Sequence, residues 1–430
     1  MQLMFPSSSR FSLRAAMLVA LALCLTAATP ASATTSSDVK RAMNALGGGA
    51  GAYAWNITDN HAVAGRNASY ARILASNTKL FTAAAALDRY GTGGRFSTGV
   101  YYDGTLSDGV LTGDLYLRGG GDPLFGNASY VTANFGSGAT LETLARNVKS
   151  AGIKQVTGTI YGDQSAWDAK RGTAYSNWGR SSDIGGVLGG LIVNKGFVSG
   201  RYQGNPPVFA AQRLRAALSS AGVKVSSKTS AANAPTDARR IASVRSLPMS
   251  ALVRQMDKPS NNYLAESLVK SLAMPSSSAD DDSDGGEVPL GAKSATTKAG
   301  YSVAEKFAAK LGSKVRMIDG SGLSRSDHAA PREVVDLLRG VQKRVQFTDF
   351  RASLPIAGVD GTLASRMRGS AAYKMCQAKT GTLSNVSSLS GYCTSADGDL
   401  IAFSILQNRV SPSAAHGQQD RLAAAIAGLR

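Results

Sequence analysis

Ser76-Asn77-Thr78-Lys79 opens the stretch SNTKLFTAAAALDRY (residues 76–90), and its reading decides how the rest of the chain is understood. The run is rich in alanine and stops at Gly91, which predicts a buried helix with a glycine stop. Three-residue spacing puts the Ser76 hydroxyl and the Lys79 amine on one helix face. A neutral Lys79 there can take the proton from Ser76 Oγ. Alone, the S-x-x-K pattern is weak, because the chain repeats it at Ser37–Lys40 and Ser267–Lys270.

Two further patterns give it company. Ser260-Asn261-Asn262 supplies S-x-N directly after Pro259 and before a predicted helix, a local break that exposes both side chains. Lys379-Thr380-Gly381-Thr382 contains the K-T-G of the chain, inside a strand-like run. Other hydrolase signatures are missing: the sequence has neither G-x-S-x-G nor H-E-x-x-H, and His61, His328 and His416 read as structural or solvated. A Ser-His-Asp enzyme is disfavoured, and a serine nucleophile with a lysine base stays open. With 3 histidines in the chain, a histidine-rich metal site is not expected, and no cofactor is called for.

S-x-x-K, S-x-N and K-T-G in that order form the set found in penicillin-binding proteins and class A β-lactamases. The interval from Ser76 to Ser260 is too long for a compact class A β-lactamase. It resembles the class C low-molecular-mass penicillin-binding proteins, the D-alanyl-D-alanine carboxypeptidase/endopeptidase family. GGGDPLF (119–125), YGDQSAW (161–167), MDKPSNNYLAE (256–266) and DGSGLSR (319–325) carry the similarity across most of the chain. Leu74 departs from it, standing where many relatives have proline, and residues 163–260 are short for members with a third subdomain.

The resemblance implies an α+β fold: a penicillin-binding, serine β-lactamase-like domain with an antiparallel sheet flanked by helices, interrupted by a mostly β inserted domain. Residues 34–95 and 246–430 would form the first, and 96–245 the second. It also implies acylation of Ser76 by the carbonyl of a terminal D-Ala-D-Ala bond, release of D-alanine or of a peptide cross-link, and then hydrolysis. Peptidoglycan stem peptides would be the partners and β-lactams covalent inhibitors. Lys79 would serve as base, its pKa lowered by burial and by the Lys379 cation. Ser260 would relay a proton, and Asn262 would hold the substrate amide. Lys379 with the Thr380 and Thr382 hydroxyls suits a terminal carboxylate, and the Ser76 and Thr382 N–H groups an oxyanion hole. Gly381 admits close backbone approach or marks a bulge. Asp163 is a candidate for an amino group on the stem peptide, or an ordinary surface-turn aspartate. A β-lactamase-like hydrolase and a catalytically inactive wall-binding scaffold remain as alternatives.

Composition bounds the setting. The formal charge is +18, from 47 Lys and Arg against 29 Asp and Glu. The excess is spread along the chain, and its basic neighbours (Lys40-Arg41, Lys170-Arg171, Arg239-Arg240, Lys343-Arg344) are isolated pairs. Nucleic-acid binding needs clustered charge, so it is not expected. A diffusely basic surface instead suits peripheral association with an anionic cell envelope. Arg10 and Arg14, the apolar run 15–29 and Ala31-Ser32-Ala33 form a secretory signal, cut after Ala33, and its apolar run is too short to span a bilayer. The expected location is periplasmic or otherwise extracytoplasmic. Cleavage removes Cys24 and leaves Cys376 and Cys393 as a candidate disulfide in an exported protein. The acidic stretch 275–287 reads as a flexible loop. Helices are expected over 208–221, 250–256, 263–274 and 302–311, near Pro331, and over 419–429. Strands are expected over 52–57, 61–64, 115–117, 156–161 and 400–406.

Overall fold

The computed structural model describes residues 34–275 and 288–430. The expected signal segment and the acidic stretch beyond Pro275 lie outside them. A five-stranded antiparallel sheet joins the two ends of the chain, in the order 376–383, 386–394, 400–408, 50–56 and 61–66. Leu400–Asn408 shows why both faces are covered. Ala402 and Leu406 face a core with Val334, Val335, Leu338 and Val341, whereas Ile401, Phe403 and Ile405 face Val39, Met43, Leu422 and Ile426. Alternation with period two thus delivers apolar side chains to both sides.

The second face is covered by the helices Ser36–Asn44 and Pro412–Ala427. The terminal helix begins seven residues before the expected Gln419. Pro412 at its first turn pre-sets the backbone, and the polar SAAHGQQD stretch hides the start from an apolar-period search. On the first face lies Pro331–Gln342, and beside it a helical body built around Thr78–Tyr90. Every residue from Thr78 to Leu87 in that central helix is buried. Its alanines, 83 to 86, have no bulk beyond Cβ, so the helices Met249–Asp257, Asn262–Ser271 and Thr297–Lys310 can pack close around it. Gly91 ends it at φ 68°, a left-handed backbone that glycine adopts without strain.

A second sheet uses only residues 97–245. Ser97–Ser107, Val110–Gly119 and Arg239–Arg245 are antiparallel, and the short strands 155–156, 160–163, 224–225 and 229–231 add to them in parallel. Helices Leu141–Ser150 and Pro206–Ser220 cover it with Leu141, Leu144, Val148, Leu214 and Leu218, in a core that draws on residues 100–244 alone. Among the described residues, no helix is long and apolar enough to cross a membrane.

Candidate active site

Ser76 does not open the α-helix, as its spacing suggested. It sits in a 3₁₀ turn, Ala75–Asn77, that leads into the helix at Thr78. Ala75 has φ 47°, a left-handed backbone costing an alanine about 1–2 kcal/mol, so neighbours must hold it. Asn77 Nδ2 donates to the Lys379 carbonyl at 2.9 Å, and Ser388 Oγ donates to the Leu74 carbonyl at 2.8 Å. These two bonds fasten the turn to the Cys376–Leu383 strand and its neighbour.

Gly381 is where turn and strand touch. A Cβ there would meet Ser388 Oγ, lie 2.9 Å from Ser76 N and 3.0 Å from Leu74 O. The ladder from Cys376 to Leu383 runs without a register shift, so Gly381 marks close approach and not a bulge. The group that approaches it is the serine turn of the same chain.

Lys79 is fully buried. Its Nζ donates to Ser76 Oγ at 2.9 Å, Asn262 Oδ1 at 2.7 Å and the Ser321 carbonyl at 2.7 Å. Burial pushes its pKa down to about 8, against the opposing pull of Asp319, Glu266, Asp257 and Asp327. The three partners have a chemical consequence. Asn262 Oδ1 and the Ser321 carbonyl only accept, so once Lys79 loses a proton its lone pair has one donor to face, the Ser76 hydroxyl.

Lys379 is likewise buried and donates to Ser260 Oγ at 2.8 Å and to the Thr380 carbonyl at 3.0 Å. Burial, then the Lys79 cation, push its pKa down to about 7, while Asp257 opposes them. Burial leads for both lysines, and the repulsion between their cations belongs to the pair. Ser260 has φ 59° and is anchored by its N–H on the Asp257 carbonyl at 3.2 Å. Asn261 caps the following helix by accepting from Leu264 N–H, a contact worth about 1 kcal/mol. Asn262 spends its carbonyl on Lys79 and one amide hydrogen on the Asp183 carbonyl at 2.8 Å, leaving one N–H. Thr380 Oγ1 lies 2.7 Å from Thr362 Oγ1, and Thr382 is exposed.

The structure keeps one expected residue apart from these contacts. Asp163 is neither a free carboxylate nor a surface-turn residue. It is buried, 3.4 Å from Arg118 Nε, and accepts from Ser165 N–H and Ala234 N–H. Its register partner Arg118 lies opposite on the neighbouring strand, so the charge is neutralised within the second sheet. Cys376 and Cys393 are directly paired across the ladder and joined in a disulfide.

Several residues beneath the lysines were not singled out from sequence. Glu266 accepts from Gly320 and Ser321 N–H, and Asp319 from Ser321, Gly322 and Ser324 N–H, which together set the Ser321 carbonyl under Lys79. Burial pushes the Glu266 carboxyl up to about 8, and raises that of Asp327 as well. The available signal was an acid inside an apolar run: Glu266 interrupts Tyr263-Leu264-Ala265 and Ser267-Leu268-Val269. Among the described residues, no cluster of His, Cys, Asp and Glu is arranged to hold a metal ion.

A serine bonded to a buried lysine, beside a second buried lysine bonded to a second serine, defines a serine peptidase of the penicillin-binding fold. The chain belongs to the D-Ala-D-Ala carboxypeptidase 3 (S13) family, whose sequence profile matches residues 36–184 and 189–429. It is 30% identical to the D-alanyl-D-alanine carboxypeptidase of Actinomadura sp. (strain R39), over 82% of this chain and 76% of that one. Penicillin binding protein 4 (dacB) from Haemophilus influenzae shares the fold with a TM-score of 0.66 at 21% identity, over 90% of this chain and 97% of the other. The same protein complexed with a β-lactam superposes with a TM-score of 0.64 at 23% identity, over the same 90% and 97%.

Proposed function

We propose that this chain is an exported serine D,D-peptidase of peptidoglycan that forms an acyl-enzyme on Ser76, and that residues 96–245 are a domain inserted into its catalytic body. Membership of the S13 family supports the reaction class. The observation that carries the residue assignment is the Lys79 amine: of the three groups that accept from it among the described residues, the Ser76 hydroxyl is the one that can also donate.

Ser76 Oγ attacks the carbonyl of the terminal D-Ala-D-Ala bond and gives its proton to Lys79. The Ser76 and Thr382 N–H groups stabilise the oxyanion. Ser260 returns a proton to the leaving amine, Asn262 holds the substrate amide through its remaining N–H, and Lys379 with Thr380 and Thr382 receives the terminal carboxylate. A water then hydrolyses the ester.

Burial pushes both lysines down, and their protons are coupled by mutual repulsion. A carboxylate arriving at Lys379 favours its cation, and that cation repels the proton on Lys79. Recognition of the carboxylate and release of the base are thereby coupled.

The test is labelling with a fluorescent penicillin, together with digestion of defined monomeric and cross-linked muropeptides. The wild type forms a long-lived adduct and releases D-alanine, cleaves cross-links, or does both, and Ser76→Ala does neither. Absence of an adduct on the wild type, or an adduct that survives Ser76→Ala, rejects the assignment. Rapid penicillin turnover points instead to a β-lactamase.

A further inference from the structure

Asp257 ends the helix that leads into the Ser260 segment and is fully buried. One carboxylate oxygen accepts from Ser353 Oγ at 2.8 Å, and the other, Oδ1, has no hydrogen-bond partner among the described residues. An ionisable group so placed is costly, and a buried polar atom without a partner calls for a reason. It is not explained by Lys258, whose amine is committed to both Asp360 oxygens and to the Leu354 carbonyl.

The cations that face Asp257 are Lys379, then Lys79 and Lys258. Lys379 is faced by Lys79 and Asp257, and Lys79 by Asp319, Glu266, Asp257 and Asp327. Asp319, Glu266 and Asp327 are spent on the 318–324 backbone, and among the acids named Asp257 is the one that faces both lysines. Ser353, Asp360 and Thr362 belong to one stretch that braces this corner. Ser353 holds Asp257, Asp360 holds Lys258, and Thr362 donates its N–H to the Lys258 carbonyl at 3.1 Å.

We propose that Asp257 is a positioning residue: the buried counter-charge that lets Lys379 carry the cation required for a substrate carboxylate while Lys79 is free to act as base. The proposal rests on the lysine roles assigned above. Asp257 touches no reacting atom; it acts through the lysines. Its own carboxyl is pushed up to about 7 by burial, against Lys379, Ser353 and Lys79. Asp257 and Lys379 therefore titrate as a pair in the neutral range.

The experiment is the pH profile of the second-order rate of acylation by benzylpenicillin, for the wild type, Asp257→Asn, Asp257→Glu and Ser353→Ala. Removing the negative charge lowers the proton affinity of both lysines, so both limbs of the Asp257→Asn profile move to lower pH, by half a unit or more. Asp257→Glu keeps the charge and restores the limbs at least in part, and Ser353→Ala, which removes the bond that draws the Asp257 carboxyl down, moves them the same way as Asp257→Asn but less far. A profile of Asp257→Asn that is merely scaled down, with both limbs where the wild type has them, overturns the proposal. If Asp257→Asn fails to fold, limbs of Asp257→Glu displaced as far as half a unit although the charge is kept, or limbs of Ser353→Ala that stay in place or move to higher pH, would overturn it equally. Wild-type protein that is never acylated at Ser76 would instead reject the functional reading on which the proposal stands.

Discussion

Replacing Lys79 by methionine separates its electrostatic burden from its hydrogen bonds. The native amine has a pKa of about 8 against an ordinary 10.5, and it is fully buried, so the shift needs no discount for solvent. At pH 7 it is protonated both folded and unfolded, and the difference of about 2.5 units corresponds to about 3 kcal/mol against the folded state. Between about pH 8 and 10.5 the native protein has released the proton while the unfolded chain still holds it. The unfolded state then binds more protons, so stability rises with pH. Integrated from pH 7 to 9.5, Lys79 contributes about 2 kcal/mol of that rise. Lys79→Met removes it, and relief of Lys379 from a neighbouring cation flattens the slope further in the same direction. The orphaned Asn262 and Ser321 oxygens cost about 1–3 kcal/mol each, but that loss is independent of pH and cancels when slopes are compared. Urea unfolding of both proteins at pH 7 and 9.5 measures the difference, and fluorescent penicillin reports the loss of acylation. Parallel stability–pH curves for the two proteins would refute the claim that burial makes Lys79 a base, even if acylation is lost.

Gly322→Ala places a left-handed alanine at φ 83° with its Cβ overlapping the Ala75 carbonyl oxygen. It is expected to lower stability by more than about 2 kcal/mol in urea unfolding and to slow acylation by displacing the Ser76 turn. Thr362→Val removes the partner of Thr380 Oγ1, and is expected to raise KM for a carboxylate-terminated peptide by roughly 2–10-fold with kcat little changed, Thr362→Ser restoring it. Reducing the Cys376–Cys393 disulfide, which spans a separation of 17 residues, is expected to lower unfolding stability by about 3 kcal/mol. Penicillin labelling of the folded reduced protein should persist, because Cys376 and Ala378 share the sheet face opposite Lys379.

The residues that bond at the site were legible because their chemistry forces a local pattern. A serine one turn from a lysine, a proline-broken S-x-N before a helix and a glycine between two threonines after a lysine each leave a mark in a few consecutive positions. What stayed hidden depends on chain distant in sequence. Asp319 looks like a surface acid and Glu266 shows only its apolar neighbours, until the 318–324 loop folds over them and brings backbone N–H groups that no side-chain pattern announces. The pairing of Asp163 with Arg118 depended likewise on the register of two strands in the second sheet. Asp108-Gly109, with φ 52° and 85°, is a two-residue hairpin turn between the strands ending at Ser107 and beginning at Val110, and its dipeptide is a strong hairpin mark. Helix Leu141–Ser150 was obscured in the same glycine-rich region, although Leu141, Leu144, Ala145 and Val148 have helical spacing.

The net charge of the chain says little about this interior. The surface excess is cationic, yet the lysine pair is surrounded by Asp257, Glu266, Asp319 and Asp327, so the site is an acid-rich pocket inside a basic protein. Two lysines alone in such a cavity would both be driven neutral by burial, leaving nothing to attract a carboxylate. Four ionised acids without them would repel the carboxylate. The structure avoids both outcomes by unequal exposure to the acids. Glu266 and Asp319 are tied down by backbone N–H groups and act on Lys79 from below, whereas Asp257 keeps an oxygen unbonded and acts on Lys379 first. An anion arriving at Lys379 can then favour its proton at the expense of the one on Lys79, with no protein group entering or leaving the cavity. Such a balance demands that the segments bearing the two lysines stay in register, which is what the Asn77–Lys379 and Ser388–Leu74 bonds provide.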